Sequence, residues 1–123
     1  QKAYPKEFGL INPSDYNPSR WQDRTDKEAR QLGFVSAYGS SQTREDFVET
    51  IANYIVKSDA QWQEVLDEAG PKGAAIINQK LEICKTWLEE KWGIDLVAMH
   101  NEVQRRQQNL DWDMIMSLGF LDK

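Results

Sequence analysis

Histidine and cysteine are almost absent from this sequence: each occurs once, as His100 and Cys84. A single cysteine excludes an internal disulfide, so cysteine usage says nothing about redox compartment. A single histidine excludes a catalytic zinc site built from this chain alone, because such sites take three protein ligands, commonly two imidazoles and a carboxylate. The same scarcity weakens a Cys–His pair or a Ser–His–Asp arrangement, and no nucleophile-elbow pattern accompanies them. A phosphate-binding loop is also missing, since Gly70-Pro71-Lys72-Gly73 lacks the Walker spacing. Cationic residues are outnumbered, 15 Lys and Arg against 20 Asp and Glu, for a net charge of −5. That balance argues against nucleic acid or an anionic membrane surface as a partner. Apolar runs are too short to span a bilayer. Gln1 is not an initiator methionine, and no signal peptide precedes Lys2-Ala3-Tyr4-Pro5. The expectation is a fragment, a processed chain or a piece cut from something longer.

What is present suits one domain of 123 residues with one core. The chain is 40% apolar and 28% charged, with five Trp, four Tyr and four Phe, a composition of globular rather than disordered chains. Residues 1–57 read as a loop-rich part ending in a helix, and residues 58–123 as a helical bundle. Asn12-Pro13 and Asn17-Pro18 punctuate the opening stretch. The aromatics scattered through it suggest a segment laid onto a surface. A short helix is predicted over Asp26–Leu32, with Thr25 and Glu28 as a capping box and Gly33 as the stop. Phe34–Ala37 reads as one short strand. Thr43 is the candidate cap of the next helix, whose apolar face is Phe47, Ile51, Tyr54 and Ile55. Asp59 is the candidate cap of a third, ending near Gly70-Pro71. A long helix follows over Ala74–Trp92, with the stripe Ile77, Leu81, Cys84 and Leu88, and Gly93 ends it. Asp95 can cap a last helix bearing Leu96, Met99, Val103 and Leu110, and the tail from Trp112 to Leu121 could add a short one. The fold class is therefore mainly α. Cys84 reads as a buried structural thiol, and His100 as a surface or satisfied residue rather than a ligand.

The chemistry, if any, concentrates in Tyr38-Gly39-Ser40-Ser41-Gln42-Thr43-Arg44-Glu45-Asp46-Phe47-Val48-Glu49. Glu45 and Glu49 lie one helical turn apart on one face, a mildly destabilising pairing of like charges unless a cation or a donor attends them. Tyr38 precedes the turn that starts the helix and can point at the same spot. The plainer alternative is a solvated acidic helix start with Tyr38 in the core, since carboxylates favour a helix N-terminus.

The string Phe34 to Val56, FVSAYGSSQTREDFVETIANYIV, resembles the second half of a gluzincin-type zinc peptidase site. It is most similar to the zinc-binding metallopeptidase lipoproteins associated with substrate import in Bacteroidetes, and more distantly to toxin metalloproteases related to anthrax lethal factor. In those families a first helix carries H-E-x-x-H and a later helix the third ligand. A Tyr-Gly pair precedes that later helix, as Tyr38-Gly39 does here. The resemblance implies the helical C-terminal subdomain of a zincin-like peptidase. It implies Glu45 as the zinc ligand, Tyr38 as the catalytic tyrosine that stabilises the oxyanion, and Glu49 as the carboxylate that orients a ligating histidine. H-E-x-x-H is absent from this sequence, so both imidazole ligands and the general-base glutamate would have to come from a missing upstream segment. The resemblance further implies Zn2+ in the intact parent and none held by this chain alone, a peptide substrate, and a cell-envelope location as an outer-membrane or surface lipoprotein. An uncovered apolar patch is expected where the missing helix packs, at the N-terminal aromatics and the face of the Phe47 helix; dimerisation through such a patch is a further possibility. A different class of reading is a non-catalytic helical interaction module with Trp62, Trp87, Trp92 and Trp112 in its core or groove.

Overall fold

A computed structural model describes residues 4–107. Three short 3-10 turns, Lys6–Leu10, Pro13–Asp15 and Trp21–Asp23, lead into α1 (Asp26–Gln31). A fourth, Tyr38–Ser41, leads into α2 (Thr43–Val56). The long helix α3 (Asp59–Trp92) follows, and residues 96–107 form α4. The mainly α architecture is as expected; Leu110 of the predicted last helix and the predicted tail from Trp112 to Leu121 lie outside the described residues.

Local capping explains most helix starts. Thr25 Oγ1 accepts from the Glu28 N–H at 3.1 Å while Glu28 Oε1 accepts from the Thr25 N–H at 2.9 Å, the reciprocal box that satisfies two orphan donors. The bond from the Thr25 backbone holds the Glu28 carboxyl below the usual range. Two predicted caps move by one residue. Gln42, not Thr43, is the N-cap of α2, and it makes no side-chain capping bond. Ser58, not Asp59, caps α3, in a box with Gln61. Asp95 does accept from the Ala98 N–H at 3.0 Å, at the start of α4.

Phe34–Ala37 is not a strand; the described residues contain none. Its backbone groups find side chains of α1 instead of a ladder. Arg30 Nε donates to Val35 O at 2.8 Å, and the Ala37 N–H donates to Asp26 Oδ1 at 2.9 Å. Within α3 the helical torsions fail once, at Gly70 (φ 71°, ψ 175°). Pro71 then opens the second segment, where its missing N–H leaves nothing unsatisfied. Two residues on, α1 comes so close that a Cβ on Gly73 would lie 2.3 Å from Arg30 O.

Aromatic residues of the opening turns cover the Phe47 side of α2, so the expected patch is not open there. Phe8, fully buried, meets Phe47 edge-on at 5.2 Å, and Phe47 meets Trp87 the same way at 5.3 Å. Val35, Tyr54, Trp62, Val65, Ile77, Leu81, Cys84 and Leu96 complete the main core. Burial pushes the Cys84 thiol well up, which suits an inert structural cysteine. Trp87 is half-buried and Trp92 is exposed. On α4 the inward residues are Leu96 and His100, whereas Met99 is exposed. His100 stacks on Tyr54 at 4.7 Å, with Nδ1 2.7 Å from Tyr54 O and Nε2 3.0 Å from Asp59 Oδ1. Both ring nitrogens are engaged, so it is a satisfied residue.

A buried ion pair joins these parts. Asp46 of α2 and Lys80 of α3 are almost wholly excluded from solvent, and Lys80 Nζ lies 2.8 Å from Asp46 Oδ2. The Tyr16 hydroxyl donates to the same oxygen at 2.6 Å, and Lys80 Nζ also donates to Gly33 O at 2.8 Å. Burial pushes the Asp46 carboxyl up and the Lys80 ammonium down, each opposed by its partner's charge. Burial, with the Asp46 charge beside it, raises the Tyr16 phenol far above its usual value.

Two stability outcomes are expected in urea melts. Leu81→Ala should cost about 2–5 kcal/mol, with half-buried Leu88→Ala near the low end; a loss under about 0.5 kcal/mol at Leu81 would contradict its place in the core. Lys80→Met should cost about 3–5 kcal/mol by stranding Asp46, and adding Asp46→Leu should restore part of it; strictly additive losses would mean the two residues do not act as a pair.

Candidate functional site

The turn Tyr38–Ser41 and the first two turns of α2 form one surface. Asp46 points inward to Lys80, and this sets the rotation of the helix. Successive helical residues are about 100° apart, so Glu45 and Glu49 flank the buried side and reach the surface half-buried. Each then meets a hydroxyl from the preceding loop. The Tyr38 hydroxyl donates to Glu45 Oε2 at 2.7 Å. The Ser36 hydroxyl donates to Glu49 Oε1, also at 2.7 Å, and accepts the Gly39 N–H at 3.1 Å. These donors answer the like-charge problem posed by the spacing of the two carboxylates.

Tyr38 is 43% exposed, so it is not a core residue. Trp21 supports its ring edge-on at 5.1 Å. The bond to Glu45, ahead of burial and the glutamate charges, raises the Tyr38 phenol above the ordinary tyrosine value. A phenol so held remains a proton donor at neutral pH. Beyond the carboxylates, Val48 and Val56 are 50% and 52% exposed, and Ala52 between them is exposed too. At helical spacing these three make an apolar stripe beside Glu45 and Glu49.

His100 takes no part in this surface. It binds the carbonyl of Tyr54, nine residues along α2 from Glu45, or about 14 Å at the helical rise. Among the described residues no group of three or more His, Cys, Asp or Glu side chains is placed to hold a metal ion. A half-buried surface carboxylate held by one phenol is nonetheless a donor that zinc accepts, so these residues fit as part of a ligand set. Sequence reasoning singled out Tyr38, Glu45 and Glu49, and the structure brings Tyr38 to Glu45. It passed over Ser36, Trp21 and the Tyr16–Asp46–Lys80 network. The one available signal was Lys80 itself, a charge lying on the Ile77–Leu81–Cys84 stripe.

Residues 1–97 match the protein family described as "Putative zinc-binding metallo-peptidase". The chain belongs to this family. The fold is similar to the crystal structure of a protein given the same description, from Bacteroides caccae ATCC 43185, with a TM-score of 0.83 and 37% sequence identity. The match covers 85% of this chain and 40% of that one, so the chain spans less than half the length of this metallo-peptidase relative. No curated protein matches.

The Tyr38–Glu45 contact makes a direct prediction. An ultraviolet titration, with the Tyr38→Phe trace subtracted, should place Tyr38 ionisation above the ordinary tyrosine range, and Glu45→Gln should bring it down. Because the folded value is raised, the contact contributes fully below the unfolded tyrosine pKa and is lost as pH rises through the folded one. An unchanged midpoint in Glu45→Gln would show that the two groups do not interact in solution.

Proposed function

We propose that this chain supplies the glutamate half of a gluzincin-type zinc peptidase centre, akin to the substrate-import lipoproteins and more distantly to lethal factor-type peptidases. The observation that carries the reading is the 2.7 Å contact of the Tyr38 hydroxyl with Glu45 Oε2, across a turn on an exposed helix face, in a family described as zinc-binding. Glu45 is the third ligand, its carboxylate oxygen completing a tetrahedral set with two imidazoles. Those imidazoles and a general-base glutamate belong to an H-E-x-x-H helix on an upstream segment of the same protein. The exposed Val48–Ala52–Val56 stripe, next to Glu45, offers that helix an apolar surface. A self-contained interaction bundle covers such faces, so the stripe favours the peptidase reading over a purely helical interaction module.

Zinc, when bound, polarises a carbonyl and lowers the pKa of water. The residues of this chain do the rest of their part by position. Glu49 accepts the outer N–H of an imidazole ligand, fixing its tautomer and raising its basicity. Tyr38 exchanges its bond to Glu45 for one to the oxyanion that develops on a peptide substrate. The family resemblance adds a cell-envelope location as a lipoprotein to this reading.

In the full-length protein, chelator competition should show Glu45→Ala weakening zinc by more than about 100-fold, beyond the effect of losing an outer partner. Tyr38→Phe should leave zinc affinity nearly unchanged while lowering kcat on a peptide substrate about 100-fold. Equal zinc affinity in wild type and Glu45→Ala would falsify the assignment.

A further inference from the structure

Ser36 lies outside the Tyr38–Ser41 turn and outside α2, yet its hydroxyl touches both. A serine hydroxyl has one proton and two lone pairs. Here the proton goes to Glu49 Oε1 at 2.7 Å, and a lone pair receives the Gly39 N–H at 3.1 Å. The packing around this bridge is close. A Cβ on Gly39 would lie 3.4 Å from Ser36 Oγ and 3.5 Å from Glu49 Cβ. Ser36 itself is held near α1, because Arg30 and Asp26 bind the backbone of Val35 and Ala37 on either side of it.

We propose that Ser36 is a positioning residue of the metal centre. It sets the orientation of the Glu49 carboxylate toward the imidazole ligand and, through Gly39, the placement of the turn that carries Tyr38. The inference rests on the reading of Glu45 as a zinc ligand and extends it to a residue with no metal contact of its own.

The argument is one of preorganisation. A free glutamate side chain samples several rotamers, and ordering it on demand subtracts from binding. Among the described residues, the hydroxyl of Ser36 is the one group that hydrogen-bonds the Glu49 carboxylate, and Oε2 receives no bond. One oxygen is therefore anchored and the other is available to accept an N–H. An anchor of this type is worth about 10–100-fold in metal affinity when it acts on a ligating histidine.

The test uses the full-length protein and zinc alone, measured by chelator competition. Ser36→Ala should weaken zinc binding about 10-fold, while Ser36→Thr, which keeps the hydroxyl, should stay within about twofold of wild type. In a Glu49→Ala background Ser36→Ala should have little further effect, because the side chain through which it acts is gone. A thermal melt of each metal-free variant separates this pattern from a general loss of stability. The inference is overturned by an undiminished affinity in Ser36→Ala, by Ser36→Thr falling as far as Ser36→Ala, or by losses that simply add in the double variant. Glu45→Ala, run alongside, distinguishes the two failures. If zinc binding ignores Glu45, the peptidase reading fails and this inference with it; if it depends on Glu45 but not on Ser36, this inference alone fails.

Discussion

The buried pair of Asp46 and Lys80 ties together four parts of the chain. Lys80 contributes from α3, Asp46 from α2, Gly33 from the loop after α1, and Tyr16 from the opening turns. The ammonium also lies 4.1 Å from the centre of the Phe34 ring, a favourable position for a cation. Taking two charges out of water costs several kcal/mol each, and the attraction between them offsets this only when further hydrogen bonds complete the site. Here they do, through the Tyr16 phenol on Asp46 and the Gly33 carbonyl on Lys80. The result is specificity of placement as much as stability. An apolar contact could slide; this one admits one rotation of α2.

From that rotation the rest of the surface follows. With Asp46 turned in, its neighbour Glu45 must turn out, and so must Glu49 one turn later. The loop carrying Ser36 and Tyr38 is anchored to the same centre through Gly33. Both hydroxyls therefore arrive opposite the carboxylates they bind, without any contact between the ion pair and the surface groups. Substituting Lys80 would disturb Glu45 without touching it.

Local interactions were legible in the sequence. Thr25 with Glu28, Gly93 as a left-handed stop (φ 64°), and the break at Gly70-Pro71 all depend on groups a few residues apart. Errors arose where two neighbours competed or where a distant side chain intervened. Ser58 and Gln61 form a capping box that outranks Asp59, and Arg30 and Asp26 turn a β-like Phe34–Ala37 into a bend. On α4, apolarity pointed to Met99. His100 is the buried residue instead, because α2 and Asp59 supply partners for both its nitrogens. The Tyr38–Glu45 contact is legible from the offset of the two residues and a family resemblance, whereas Ser36 and Trp21 carry no pattern that marks them. The Asp46–Lys80 pair spans two helices, and no periodicity links its ends.

The two glutamates are secured by neutral hydroxyls, a phenol and an alcohol, not by lysine or arginine. Among the described residues, no ion pair forms at Glu45 or Glu49. A cationic tether would have held the same geometry while cancelling the charge. Neutral tethers separate those two effects. They hold the two carboxylates in place and leave their charge on this side of the helix, where salt limits its reach to about 8–10 Å.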